Sequence, residues 1–139
     1  MKYPKGPKGA CDRLFSEIVR SIGLCEQCGR KPPAVQLQCA HIISRRYSST
    51  RTSIRNAFCL CAADHRYFTD HPLEFAKFVQ RSWASEFYND EYVKSQNTAK
   101  VDWSEEQRYL RGLRDRLNGG VTRLMTLRLE GRIDSTTIL

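Results

Sequence analysis

Apolar residues at helical spacing mark the first structured segment of the chain. They recur every three or four positions at Leu14, Phe15, Ile18, Val19 and Ile22. Gly23 follows as a stop signal, so the pattern predicts an amphipathic helix over 12–22 whose apolar face joins the core. Residues 1–10 are rich in Lys, Pro and Gly and predict a basic, flexible arm.

The middle of the chain shows a different pattern. Two short strand-like segments, 35–43 and 56–61, flank the polar, basic segment 44–55, which is rich in Ser and Thr. Residues 62–69 then predict a short helix. The order strand, loop, strand, helix predicts a ββα unit.

Helical signals return further along the chain. Pro72 suits the first turn of a helix that extends to about residue 86. Ser104 opens a capping-box pattern for a helix that ends near Leu117. Residues 121–139 have some alternation and predict a short strand or a loose tail. The extension over 81–139 is therefore expected to be mainly helical.

Composition and charge narrow the class of protein. The chain has 139 residues and a formal net charge of +8, from 23 basic against 15 acidic residues. This length fits one domain with extensions, and the positive charge favours a polyanionic partner. No apolar run is long enough to span a membrane, and the N-terminus lacks the apolar core of a secretory signal. We therefore expect a cytoplasmic protein.

The cysteines point to a metal. Six cysteines in a chain without a secretory signal favour metal binding over disulfides. Cys25 and Cys28 have the spacing of half a zinc site, and Cys61 begins a second half-site that includes Asp64. A thiol redox role for the Cys25/Cys28 pair is a weaker alternative, because no thioredoxin-like βαβ pattern surrounds it.

An ordered His, Asn, His series overlaps the metal half-sites. His41 lies near the end of the first strand-like segment, Asn56 begins the next, and His65 lies at the start of the predicted helix. These residues indicate a metal-assisted hydrolase site. Together with Cys25/Cys28, the Leu-Gln-Cys-Ala-His-Ile segment at 37–42, the Ser-Arg-Arg segment at 44–46 and the Leu-Cys segment at 60–61, the series resembles the HNH nuclease family, over roughly residues 11–80.

The resemblance implies a ββα-metal fold and a role for each motif residue. His41 is the expected general base, His65 the expected ligand of a catalytic Mg²⁺ or Mn²⁺, and Asn56 the residue that fixes the base and the hairpin by hydrogen bonding. The products would carry a 3′-hydroxyl and a 5′-phosphate, and the likeness to small phage-type members suggests a phage or prophage origin. Ala40 and Thr69 depart from the family pattern at positions where many members carry further metal ligands.

A third departure concerns the structural zinc. The family pattern places a cysteine at position 64, where this chain has Asp64. A carboxylate can bind zinc, so Asp64 is the expected fourth ligand beside Cys25, Cys28 and Cys61. Cys39 or Cys59 in its place, or no stable zinc, are the alternatives.

Basic residues surround the motif histidines. Five arginines that could bind phosphate follow His41 or His65 in the sequence: Arg45, Arg46, Arg51, Arg55 and Arg66. The sequence therefore predicts an α+β protein in which a zinc-stabilised ββα-metal (HNH) core is flanked by helices. Its expected function is that of a metal-dependent DNA endonuclease. The alternative is a non-catalytic, zinc-dependent nucleic-acid-binding protein on the same scaffold.

Overall fold

A computed structural model describes residues 3–119 and 123–130 of the chain. A two-stranded antiparallel sheet, β1 (Leu37–His41) and β2 (Ala57–Cys61), lies at its centre. Leu37 pairs with Cys61 at one end of the sheet and His41 with Ala57 at the other. The helices are α1 (Gly6–Arg20), α2 (Ala62–Asp70), α3 (Pro72–Arg81), α4 (Tyr88–Ser95), α5 (Trp103–Asn118) and α6 (Leu124–Glu130). The predicted α+β class is confirmed.

Strand β2 separates two apolar cores. Every residue of β2 is buried, and successive side chains of a strand point to opposite faces. Ala57 and Cys59 face a core that they share with α1, α5 and α6, whereas Phe58 and Leu60 face a core that they share with α2 and α3. The sheet is therefore covered on both sides, which explains why a hairpin of two short strands is stable here.

The N-terminal helix begins earlier than the sequence predicted. Helix α1 starts at Gly6, so residues 6–10 of the expected flexible arm are helical. Pro7 in the first turn supplies a backbone angle that is already helical. Gly9 is buried against the Pro4 carbonyl oxygen, with which any side-chain carbon at this position would collide. The close approach of these two residues fixes the entry to the helix.

Three other predicted elements differ in detail. The helix from Pro72 ends at Arg81, and a short 3-10 turn, Trp83–Glu86, follows it because the Ser82 hydroxyl accepts from the Ala84 N–H. Asp102, not Ser104, caps α5 by accepting from two N–H groups of its first turn. Residues 124–130, predicted as a strand or loose tail, form α6. The rest of that prediction lies outside the described residues.

Helix α6 is held by a buried arginine. The Arg128 guanidinium is fully buried and pairs with Glu26, at 2.8 Å between Nη1 and Oε1. It also donates to the carbonyl oxygens of Ile54 and Ala57 and stacks on Trp83, 4.2 Å from the ring centroid. Since Glu26 lies between Cys25 and Cys28, this ion pair joins the C-terminal helix to the first metal half-site. No helix within the described ranges is long and apolar enough to cross a membrane.

Candidate metal centre and histidine cavity

Four potential metal ligands converge beside the sheet. One ligand atom from each of Cys25, Cys28, Cys61 and Asp64 lies within 4.8 Å of all the others. Cys25 Sγ is 3.2 Å from Asp64 Oδ2, and Cys28 Sγ is 3.9 Å from Cys61 Sγ. A Zn–S bond of about 2.3 Å places two thiolates of a tetrahedral site about 3.8 Å apart, so the spacing fits zinc.

Local backbone structure holds these ligands in place. Gly29 has a φ of +78°, a conformation that favours glycine, and its N–H donates to the Cys25 carbonyl to close the first turn. Cys61 is the N-cap of α2, and its Sγ accepts from the Asp64 N–H. Asp64 completes the cluster, whereas the other candidates, Cys39 and Cys59, lie opposite each other on the two strands.

The two motif histidines line one cavity. It has a volume of about 230 Å³ and lies between the N-terminal segment, α1, β1 and α2. Besides His41 and His65, its walls comprise Tyr3, Asp12, Ser16, Cys39 and Arg45. A second, more open cavity adjoins it at His65 and includes Gln38, Arg66 and Asp70. The two cavities share His65 as a lining residue, and together they are called the histidine recess below.

His41 is held in one tautomer at the end of β1. Its Nε2 lies 2.8 Å from the carbonyl oxygen of Arg51, and a carbonyl only accepts, so Nε2 carries the proton. Nδ1 is then the unprotonated nitrogen of the neutral ring. Burial lowers the pKa of His41 to about 4, despite the opposing effect of the hydrogen bond to Arg51. The side chain is therefore an uncharged proton acceptor at neutral pH.

His65 is oriented in the same manner by a different partner. Its Nδ1–H donates to Gln38 Oε1 at 2.8 Å, which leaves the lone pair of Nε2 available to a metal. Burial lowers the pKa of His65, which favours the neutral form that metals bind. Because His65 directly follows Asp64, a metal held by the four-ligand cluster would also fix the turn of α2 that carries this histidine.

Asn56 acts on the loop between the strands. It is buried, and its Oδ1 accepts from the Ile43 N–H at 2.7 Å while its Nδ2 donates to the carbonyls of Ile43 and Thr50. Asn56 thus ties its own end of the loop to Ile43 at the other end and to Thr50 in the middle, and none of these side-chain hydrogen bonds goes to His41.

The five predicted phosphate-binding arginines fall into two groups. Arg45 lines the histidine cavity, Arg66 lines the adjoining cavity, and Arg46 is exposed on the loop, over the Tyr47 ring. Arg51 and Arg55 differ from the prediction. The Arg51 side chain is buried in an ion pair with Asp12, and Arg55 donates to the carbonyls of Arg128 and Leu129 in α6. The Arg51 charge is therefore satisfied inside the protein, whereas Arg55 is half-buried and its contact with DNA stays a prediction.

Ala40 and Thr69 stand at the two positions where the family pattern often has further metal ligands. Ala40 is buried, and the Thr69 hydroxyl donates to the His65 carbonyl within α2. Asp70 lines the adjoining cavity together with His65 and is the one carboxylate among the residues that line it. His71 instead donates to the Tyr67 carbonyl and stacks on its ring at 4.2 Å. Water and substrate phosphate would have to complete a Mg²⁺ shell at His65.

Two polar residues of the recess were missed by the sequence interpretation. Asp12 falls on the same side of α1 as the buried residues Phe15 and Val19. A carboxylate on the apolar face of a predicted helix was the signal that could have identified it. Side chains two residues apart on a strand share a face, so Gln38 lies on the same face of β1 as Ala40, which packs in the core beside α2. Nothing in the sequence indicated that Gln38 would contact His65.

The unusual pKa of His41 has a consequence for stability. A histidine whose pKa falls from 6.5 to about 4 on folding stabilises the native state above pH 6.5, and that contribution is lost as the pH falls through 4. We expect the unfolding free energy of the wild type to fall more steeply than that of His41→Gln between pH 6.5 and 4.5. Urea denaturation at several pH values measures this difference, and parallel curves would contradict it.

Comparison with known proteins adds one finding. Residues 25–75 match the family model described as HNH endonuclease. No curated protein and no solved structure matches the chain. The matched segment includes the four-ligand cluster, both cavity histidines and Asn56, whereas α1, α4, α5 and α6 lie outside it.

Proposed function

We propose that this chain is a metal-dependent endonuclease that hydrolyses phosphodiester bonds in DNA, and the match of residues 25–75 to the HNH endonuclease model supports this proposal. The observation that carries the proposal is the pair of oriented histidines in one recess. His41 presents an unprotonated Nδ1 and His65 an unprotonated Nε2, and each ring is fixed through its other nitrogen. A proton acceptor and a metal ligand thus line the same cavity.

His41 and His65 have different roles in the proposed reaction. His41 Nδ1 removes a proton from a water molecule as the water oxygen attacks phosphorus. The bond from phosphorus to the 3′ oxygen breaks, and the departing 3′ oxygen takes a proton from a solvent water molecule. A divalent ion bound at His65 Nε2 would neutralise phosphate charge and stabilise the leaving oxygen. The products are a 3′-hydroxyl and a 5′-phosphate. Mg²⁺ and Mn²⁺ are the ions proposed here, and zinc is proposed for the four-ligand cluster.

Cleavage of supercoiled plasmid tests the function. Incubation with Mg²⁺ or Mn²⁺ should give nicked or linear DNA, and a chelator should prevent it. If no metal supports cleavage of plasmid, linear duplex or branched DNA, the endonuclease proposal is wrong. The expected phage or prophage origin and cytoplasmic location stay predictions.

The second candidate is a nucleic-acid-binding protein without catalysis. The buried Ala40 and the internal hydrogen bond of Thr69 favour it, because both remove ligands that would strengthen a metal site beside His65. Such a protein would keep the four-ligand cluster and bind DNA without cleaving it. The plasmid experiment combined with a binding measurement separates the two candidates.

Three arginines around the recess should produce salt-dependent DNA binding. Each phosphate contact by Lys or Arg contributes about −0.9 to the slope of log affinity against log salt. Replacing Arg45, Arg46 and Arg66 together with glutamine should make that slope shallower by about 2 to 3. Fluorescence anisotropy at several salt concentrations measures it.

The matched control removes the same charge elsewhere. Arg108, Arg111 and Arg116 lie on α5, outside the histidine recess. Glutamine at these three positions should leave the slope nearly unchanged. An equal effect from both triple variants would show that the recess arginines are not the specific DNA contact.

A further inference from the structure

A buried ion pair connects α1 to the loop beside His41. Arg51 Nε donates to Asp12 Oδ1 at 2.8 Å, and Arg51 Nη2 donates to Asp12 Oδ2 at 2.7 Å. The side chains of Arg51 and Asp12 are only 10% and 3% exposed. Two parallel charge-assisted hydrogen bonds hold a guanidinium in one orientation, so Arg51 is fixed relative to α1.

Arg51 makes two further contacts toward the histidine recess. Its Nη1 donates to the Arg45 carbonyl at 2.9 Å, and its own carbonyl oxygen accepts from His41 Nε2–H at 2.8 Å. The ion pair with Asp12 therefore holds the residue whose carbonyl selects the His41 tautomer. Shifting that carbonyl would release Nε2 and allow the proton to move to Nδ1, the atom that must accept it from water.

The backbone around Arg51 gives its carbonyl limited support of its own. Residue 51 follows a 3-10 turn of three residues, Ser48–Thr50, and its N–H donates to the Ser48 carbonyl at a long 3.3 Å. Asn56 secures the preceding Thr50 carbonyl. The side chain of Arg51 adds three hydrogen bonds to this backbone support, and these hold residue 51 against α1 and the Arg45 carbonyl.

We propose that Asp12, acting through Arg51, is a positioning residue for the general base His41. The role rests on the proposed endonuclease function, and it assigns to α1, which lies outside the family match, a part in the reaction. Both oxygens of Asp12 and all three nitrogens of the Arg51 guanidinium are occupied by these contacts. The same contacts make Asp12 a poor metal ligand and Arg51 a poor phosphate contact.

The test compares Asp12→Asn, Arg51→Gln and the double variant with wild type. We expect each single variant to lower kcat by about tenfold to a hundredfold, the effect of a small misplacement of a catalytic group. The affinity for a DNA duplex and the Mn²⁺ concentration at half-maximal activity should not change. Because Asp12 and Arg51 act as one unit, the double variant should be no slower than the slower single variant.

A spectroscopic measurement detects positioning without reference to cleavage. The chain has 3 histidines, so ¹⁵N-labelled histidine gives few signals, and a His41→Gln spectrum assigns them. Wild-type His41 should show the single tautomer protonated at Nε2. Asp12→Asn should show a mixture of tautomers or loss of the slowly exchanging Nε2–H signal. Arg51→Lys, which keeps the charge but loses the two-pronged contact, replaces Arg51→Gln if that variant fails to fold.

A matched control separates positioning from general destabilisation. Leu113 is buried in the core that α5 shares with α1, so Leu113→Ala should lower stability while leaving the His41 tautomer and kcat unchanged. If Leu113→Ala altered the His41 tautomer and lowered kcat as much as Asp12→Asn does, the proposal would be overturned. An unchanged tautomer in Asp12→Asn would overturn it, as would loss of DNA affinity alone or a raised Mn²⁺ requirement alone. A wild type that cleaves no DNA would instead overturn the proposed function, while the tautomer measurement still decides the positioning.

Discussion

Replacing His41 with alanine should lower the rate of DNA cleavage by about two to four orders of magnitude. The expected loss is large because the oriented Nδ1 of His41 is the proposed acceptor of the proton from water, and its ring is held neutral by burial. DNA affinity and the metal content of the purified protein should not change. Initial rates of plasmid nicking, together with binding by anisotropy, measure both parts of this result.

His71 provides the matched control. It is exposed at the end of α2, where it donates to the Tyr67 carbonyl, and it lines neither cavity of the recess. His71→Ala should therefore cleave like the wild type. His65→Ala should fail in a different way from His41→Ala, with a weaker response to metal that excess Mn²⁺ partly restores. Nicking by pure His41→Ala at the wild-type rate would refute the assignment of the base.

Removing zinc should unfold the protein. Structural zinc contributes apparent free energies of about 10–16 kcal/mol in small zinc domains, which exceeds the whole stability of most domains. Here the cluster joins the turn at Cys25 to the first turn of α2. Cys25→Ser should purify without zinc, lose its cooperative thermal transition and aggregate. Elemental analysis and circular dichroism measure the two effects.

Two variants sharpen the zinc experiment. Cys11 is also buried, but it lies outside the cluster and donates to the Trp103 carbonyl, so Cys11→Ser should keep both zinc and fold. Asp64→Cys supplies a fourth thiolate in place of the carboxylate, so it should retain zinc more tightly against a chelator than the wild type. A folded wild-type sample that contains no zinc would contradict the assignment.

The sequence predicted the centre of the fold better than its periphery. The spacing of Cys25/Cys28 and the short apolar run of β2 specify local structure directly, so the hairpin, α2 and the metal cluster could be anticipated. Helix α6 could not, because its burial depends on Arg128 finding Glu26 and two carbonyl groups far away in the chain. An isolated arginine in a sequence normally indicates an exposed side chain.

The same limitation affected the candidate site. The motif gave the identity of His41 and His65, yet the groups that orient them, the Arg51 carbonyl and the Gln38 amide, are known only from the fold. Arg51 is the residue whose predicted role differs most from its contacts in the fold. Its position in a basic loop predicted a phosphate contact, whereas the neighbouring α1 supplies a buried carboxylate that satisfies its charge. Pairing across distant segments is not visible in a single sequence.

The ion pair between Arg128 and Glu26 limits whether residues 25–75, the segment that matches the family model, can fold outside this protein. A fragment cut to residues 25–75 would leave the Glu26 carboxylate without its cation, and the carbonyls of Ile54 and Ala57 would lose their donor. Removing one member of a buried pair typically costs about 3–5 kcal/mol, enough to offset much of the stability of a small domain. The recognisable motif is thus not a portable module in this protein. A chimera that carries this segment into another protein would need to include α6 together with the turn at Cys25 that α6 secures.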